Sequence, residues 1–194
     1  MAIATVVNLF FNQHVTETSI TPDSQKRLEF IREAQRIEEA TMHSSKGHFA
    51  AAAIWRGMHV GLGIPTTILA SIAAASAFSK MDFTHSISGW ISILVAVLSA
   101  LTTFLNPPAK ANAHFTAGNN YGDLRDKTRM YRKINCLNDS DEALAKRLQE
   151  LCGEKNELNQ TSPQIPWFGR YFAKRGIAAG EAAYEVDKSL PTAN

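Results

Sequence analysis

The sequence lacks the features that mark catalysis. It contains no glycine-rich phosphate loop, no HExxH, no CxxC and no GxSxG elbow. Nothing in it therefore supplies a phosphate cradle, a paired-histidine metal site, a redox dithiol or an activated serine. Its six histidines, His14, His43, His48, His59, His85 and His114, are scattered, and the closest two, His43 and His48, stand five residues apart. That spacing does not bring both to one helix face. His59 and His85 read as interfacial residues, and His114 as a packing histidine. Asp139, Asp141 and Glu142 form only a superficial metal cluster, because acids at a helix start are expected from the macrodipole alone. No enzyme, metal or cofactor is expected.

Two other things are scarce. Cys136 and Cys152 are the only cysteines, and both are expected as reduced thiols on a cytoplasmic side. Charge imbalance is small: 20 Lys and Arg against 18 Asp and Glu give a net +2. That is no electrostatic footprint for nucleic acid, and no direct nucleic-acid binding is expected. The apolar start MAIATVVNLFF carries no Lys or Arg ahead of it and no cleavage motif, so it reads as a poor secretory signal. Residues 1–20 are either a packed terminal segment or an amphipathic piece on the membrane.

What the sequence does hold is a pair of uncharged apolar stretches, residues 60–79 and 86–109, separated by KMDFTH. At about 1.5 Å per helical residue, twenty residues reach about 30 Å, the thickness of a hydrocarbon core. The pair reads as a transmembrane hairpin at residues 58–109. The other reading, a soluble helical module with two buried central helices, needs more surrounding protein than so short a chain provides. Trp55 and Trp90 stand where interfacial aromatics are expected. Six Lys and Arg precede the first stretch, thirteen follow Pro108, and only Lys80 lies between the stretches. The positive-inside rule then places both termini in the cytoplasm, with two spans in the cell inner membrane.

The flanking sequence reads as helical. Thr21-Pro22-Asp23 is a helix start, and Leu28, Ile31, Ala34 and Ile37 follow at helical spacing in a cytoplasmic helix over 21–57. Ser44-Ser45-Lys46-Gly47 is expected to weaken that helix before it resumes toward the membrane. In the first span, Gly61, Gly63 and Pro65 predict a kink that is either a gating hinge or a tolerated bend. Ala70, Ala73, Ala74 and Ala77 offer a small face for close helix packing. In the second span, Ser88, Ser92, Ala96, Ser99 and Thr103 form one small, weakly polar stripe. Such a stripe either packs within the hairpin or lines a pore, and a pore requires an oligomer because two helices enclose no channel.

After Asn106-Pro107-Pro108 a long helix is expected, with His114, Ala117, Tyr121, Leu124, Thr128 and Tyr131 as its seam. Arg125, Arg129 and Arg132 occupy an adjoining face, either solvated or holding an anionic ligand such as a nucleotide or headgroup. Asp139 or Ser140 caps the next helix, whose seam is Leu144, Leu148, Leu151 and Leu158. A break at 161–166 precedes a last helix over 168–188, with Tyr171, Ile177 and Tyr184 available for burial, and a loose tail. The fold class is all-α: a two-helix transmembrane hairpin plus a cytoplasmic helical bundle, 110–189 packing with 21–57, in one unit.

The residues FLNPPAKANAHFTAGNNYGDLRDKTR, from Phe104 to Arg129, resemble the signature of SLATT domains. The matching features are the Asn-Pro exit, His114, Ala117-Gly118, Tyr121, Leu124-Arg125 and the basic residues after them. WRGMHVGLGIPTTILASIAA resembles the family's first span, and LNQTSPQIP with its following helix is similar as well, so the likeness covers 28–185. The resemblance implies a membrane effector of prokaryotic defence that oligomerises and permeabilises or depolarises the host membrane in abortive infection. It also implies a cyclic nucleotide, a nucleotide-synthesising enzyme or a reverse transcriptase as partner or trigger, acting from the cytoplasm. The alternative is a membrane-anchored scaffold that conducts nothing and presents its bundle to a cytoplasmic defence enzyme.

Overall fold

The computed structural model describes residues 22–78 and 82–179. Residues 1–20, the Thr21 cap, residues 79–81 between the apolar stretches, and the end of the last helix with Tyr184 lie outside the described residues. Every described element is helical: α1 (Pro22–Ala77), α2 (Asp82–Leu105), α3 (Pro107–Met130), α4 (Asp141–Thr161) and α5 (Trp167–Ala178). A π-helical turn, Tyr131–Asn135, and one further turn, Cys136–Asn138, close the α3 end.

The spine is α1. Its 56 residues run without interruption from the distal bundle through the first apolar stretch, about 84 Å at the helical rise. The expected weakening at Ser44–Gly47 does not occur, and the reason is packing. Ser45 Oγ donates to the Gly118 carbonyl at 2.8 Å, and Gly47 lies under the Ile165 side chain. These small residues serve close approach between helices. Pro65 is likewise inside α1. There Thr66 and Thr67 donate to the carbonyls of Leu62 and Gly63, at 2.6 and 2.9 Å.

α2 and α3 run back antiparallel along α1. Pairings across the seam descend in step: Lys110 with Trp55, His114 with His48, Gly118 with Ser45, Arg132 with Glu38 and the Cys136 carbonyl with Arg27. Between α2 and α3, Asn106 takes a left-handed conformation, φ 44 and ψ 57. Pro107 disfavours the right-handed helical region for the residue before it, and asparagine is among the few residues that tolerate the left-handed one.

The α3 seam packs as its spacing predicts, with His114, Ala117, Tyr121, Leu124, Thr128 and Tyr131 all buried. On α1, Ala34 and Ile37 are buried, but Leu28 is exposed. α4 closes the distal end. Ser140 Oγ accepts from the Ala143 N–H, and Asp141 meets Lys26 and Arg27 of α1 at 3.2 and 3.3 Å. Leu144 and Leu151 complete a core with Ala34, Ile37, Leu124, Tyr131 and Cys136.

α5 packs on α1 by small residues: Gly169 and Ala173 are buried, while Tyr171 turns outward and Ile177 is half-buried. Tyr171 is thus not the buried anchor that its size suggests, because the backbones approach too closely for a ring to enter. A Cβ on Gly169 would stand 2.9 Å from the Gly47 carbonyl oxygen, which is backbone and cannot move aside. Gly169→Ala should destabilise the α5 docking by about 1–3 kcal/mol, seen as faster proteolysis in the 162–166 break and a lower Tm. Gly153→Ala, where nothing lies within 4 Å, should leave both unchanged or slightly improved.

Candidate functional site

Two stretches of the described helices, in α1 and α2, are long and apolar enough to cross a membrane. Among the described residues α2 packs chiefly on α1, so its half-buried positions identify the face it turns to α1. These are Ser88, Ile91, Val95, Leu98, Thr102 and Leu105, at spacings of three and four. The corresponding α1 positions are Leu62, Thr66, Leu69, Ala73 and Ser76. Of the small α1 face, only Ala73 is buried, and Ala70, Ala74 and Ala77 are exposed.

The hydroxyl stripe lies elsewhere. Ser92, Ser99 and Thr103 are exposed on the outer side of α2, and Ser88 alone sits at the edge of the paired face. Ser92 Oγ donates to the Ser88 carbonyl at 2.8 Å, and Thr103 Oγ1 to the Ser99 carbonyl at 2.9 Å. α1 carries an outward counterpart: Gly63, Thr67 and Ser71 recur every four residues, flanked by the exposed Val60, Ile64, Ile68 and Ile72. Added Cβ atoms at Gly61 and Gly63 meet nothing within 4 Å. These glycines leave an open groove along His59, Gly63, Ile64 and Thr67.

Beneath the apolar pair, α1 and α3 are joined by two buried histidines. His48 Nδ1 and His114 Nδ1 are 3.0 Å apart. The His48 ring stacks on Tyr121 at 5.4 Å, and the Tyr121 hydroxyl donates to Asn159 of α4 at 2.8 Å. One polar chain thus crosses α1, α3 and α4. Two ring nitrogens at that distance share one proton: one donates and the other accepts, which requires the accepting imidazole to be neutral. Burial, with His114 as a close second base, lowers the His48 pKa to about 4. Burial also lowers that of His114. Protonation of the accepting ring would turn its nitrogen into a donor facing a donor.

The three arginines of the α3 flank are half-buried rather than a solvated ridge. Arg132 is held by Glu38 of α1 at 2.9 Å, and Arg129 lies 3.7 Å from Asp126. Arg132 thus engages the α1–α3 seam through its Nε. Arg125 and Arg129 remain at the flank. Tyr131 donates its hydroxyl to the Leu144 carbonyl at 3.0 Å, and burial raises its pKa. Cys136 is buried and Cys152 half-buried, and both are free thiols. Burial raises the pKa of Cys136. Among the described residues no three or more His, Cys, Asp or Glu side chains gather where a metal could be held.

The sign of the histidine effect follows from its folded pKa lying below the unfolded value. Between about pH 6.5 and pH 4 the unfolded chain binds more protons than the folded one, so stability falls as pH falls. The bundle should lose about 2 kcal/mol between pH 7.5 and pH 4.5 from His48 alone, measured by denaturant unfolding at each pH. His48→Gln should flatten that part of the profile. A slope unaltered in the variant would assign the loss to other groups. No family model matches this chain, and neither does any curated relative or solved structure.

Proposed function

We propose that this chain is a pore-forming membrane effector. Copies of it assemble through the outward faces of α1 and α2 and permeabilise or depolarise the cell inner membrane in antiphage defence, with both termini in the cytoplasm. The observation that carries the reading is the direction of the hydroxyl stripe: Ser92, Ser99 and Thr103 face away from α1. Packing inside the hairpin therefore does not occupy them. In lipid, an outward small and weakly polar stripe suits either another helix or a water-filled lumen. The Gly63, Thr67 and Ser71 stripe of α1 offers a neighbouring copy a surface on which backbones approach closely. The resemblance to SLATT domains supplies the defence setting and a cytoplasmic trigger.

In this reading the distal bundle holds the resting state through the His48–His114 pair and the Arg132–Glu38 bridge. A cytoplasmic ligand or partner shifts the population toward an open assembly by binding that state better. Pro65, with Gly61 and Gly63, is the candidate hinge, since the proline leaves the Gly61 carbonyl without its helical donor. Arg125 and Arg129 are the candidate contacts for a cyclic nucleotide.

The second reading, a non-conducting scaffold for a defence enzyme, also has an observation in its favour. The Ser92, Thr103, Thr67 and Ser71 hydroxyls already donate within their own helices. Hydroxyls satisfied in this way can face lipid at little cost.

Membrane potential after induced expression, read with a voltage-sensitive dye, separates the two. Ser92→Leu with Ser99→Leu should abolish depolarisation while the protein still resists carbonate extraction. Depolarisation that survives the pair moves the lumen elsewhere, and none at full expression of the triggered wild type favours the scaffold. Arg125→Glu with Arg129→Glu should remove binding of an added cyclic nucleotide in calorimetry and leave oligomer size unchanged.

A further inference from the structure

The charges of the bundle are sorted along its axis. From Ala40 to Met81 the sequence has no Asp or Glu, and the same holds from residue 107 to 122 and from 158 to 179. Glu39, Asp123 and Glu157 are thus the acids nearest to the apolar pair on the bundle side. The antiparallel register sets them at similar heights, since Ser45 lies opposite Gly118 and Tyr121 opposite Asn159. Above that level the exposed charges include Arg56, Lys110, Arg170, Lys174 and Arg175.

These cations sit among rings. Lys110 Nζ lies 4.5 Å from the Trp55 ring centroid, and the Arg56 guanidinium 5.9 Å from that of Phe115. Phe168 meets Trp55 at 6.5 Å and Trp167 at 5.9 Å. The rest of the aromatic surface is turned outward: Trp167 is 78% exposed, Tyr171 56% and Phe172 50%. Large rings on a helix usually point inward, and here Gly169 and Ala173 take the buried side instead. The exposed face of α5 therefore combines three aromatics with three cations and no acid. It is docked on α1 between Lys46 and Trp55, within about 20 Å of where the first apolar stretch begins.

We propose that this collar is a docking surface for anionic phospholipid headgroups, with the Trp167 and Tyr171 rings entering the interfacial layer. The proposal rests on the reading of α1 and α2 as spans. Aromatic rings paired with Lys and Arg are the composition of a membrane–water interface, and the collar is continuous with the outward apolar faces of α1 and α2. The electrostatics decide the lipid class. Arg56 stands seventeen residues above Glu39 on α1, about 25 Å, roughly three Debye lengths at physiological ionic strength. An anionic leaflet thus attracts most strongly the upper collar, Arg56, Lys110 and Arg170, with Arg175 lower beside Lys46, and the acids below are screened from it. A second copy would bring the same cations against themselves.

The test places the full chain in lipid nanodiscs and reads each tryptophan by quenching from lipids brominated on the acyl chain. Trp55→Phe with Trp90→Phe leaves Trp167, and Trp55→Phe with Trp167→Phe leaves Trp90 in α2 as the reference for insertion. Trp90 should be quenched in phosphatidylcholine and in phosphatidylglycerol alike. Trp167 should be quenched more strongly in phosphatidylglycerol, and Arg170→Glu, Lys174→Glu and Arg175→Glu together should remove that excess without changing Trp90. Quenching of Trp167 that is equal in both lipids and indifferent to charge reversal would overturn the proposal. A quenched Trp90 beside an unquenched, blue-shifted Trp167 would put protein over the face and overturn it too. An unquenched Trp90 would overturn the span reading and this one with it.

Discussion

The α1 backbone between Thr41 and Trp55 is approached closely by two helices at once, and the rest of the bundle depends on that approach. On one side Gly118 of α3 lies against the Phe49 ring, so near that an added Cβ would come within 2.9 Å of it. On the other, Gly169 of α5 lies against the Gly47 carbonyl. With side chains removed from the contacts, neighbouring groups are brought within reach. Ser45 reaches the Gly118 carbonyl, His48 reaches His114, and Ile165 covers Gly47. Interiors packed at crystal-like density tolerate little added volume. The polar pair and the docking of α5 are thus joint products of one tight crossing rather than separate features.

The legibility of this arrangement in the sequence was uneven, for physical reasons. The α3 seam could be read because its period is that of a helix pressed along another helix. His114 therefore registered as buried. Its partner could not be found the same way, since His48 is 66 residues distant and pairing across a seam leaves no local spacing. The same holds for Arg132, which looked like part of a basic ridge until Glu38 met it. Glycine and serine at 44–47 carry helix-breaking propensity, yet tertiary contact overrides propensity where small size is what the packing requires. On α5 the rings are the conspicuous residues, and the buried side belongs to Gly169 and Ala173. The direction of the Ser92 and Ser99 stripe depended on which side of α2 meets α1, a property of the pair and not of either segment.

The His48–His114 contact and the Arg132–Glu38 bridge differ in what they ask of the surroundings. The first holds only while the accepting ring is neutral, and burial of the pair favours a dry and close seam. The second is an ion pair at the partly exposed margin, where solvent screening keeps its contribution small. Closure of α3 on α1 is therefore secured mainly by its buried residues, Leu124, Thr128 and Tyr131 among them. The histidine pair adds a condition on protonation to a seam that hydrophobic burial already holds shut.

Asn106 gives the two sides of the long hairpin different mechanics. Pro107 and Pro108 have no N–H to offer the preceding turn, so two rungs of the hydrogen-bond ladder are missing where the backbone turns left-handed. α1, opposite, continues as one helix past the same level. The molecule is built as a mast beside an articulated boom. A push along α3 arrives in α2 as rotation about a joint, whereas a push along α1 passes that level within one helix and meets a missing rung only at Pro65. Movement of the bundle is thereby converted into tilt of one apolar helix against the other.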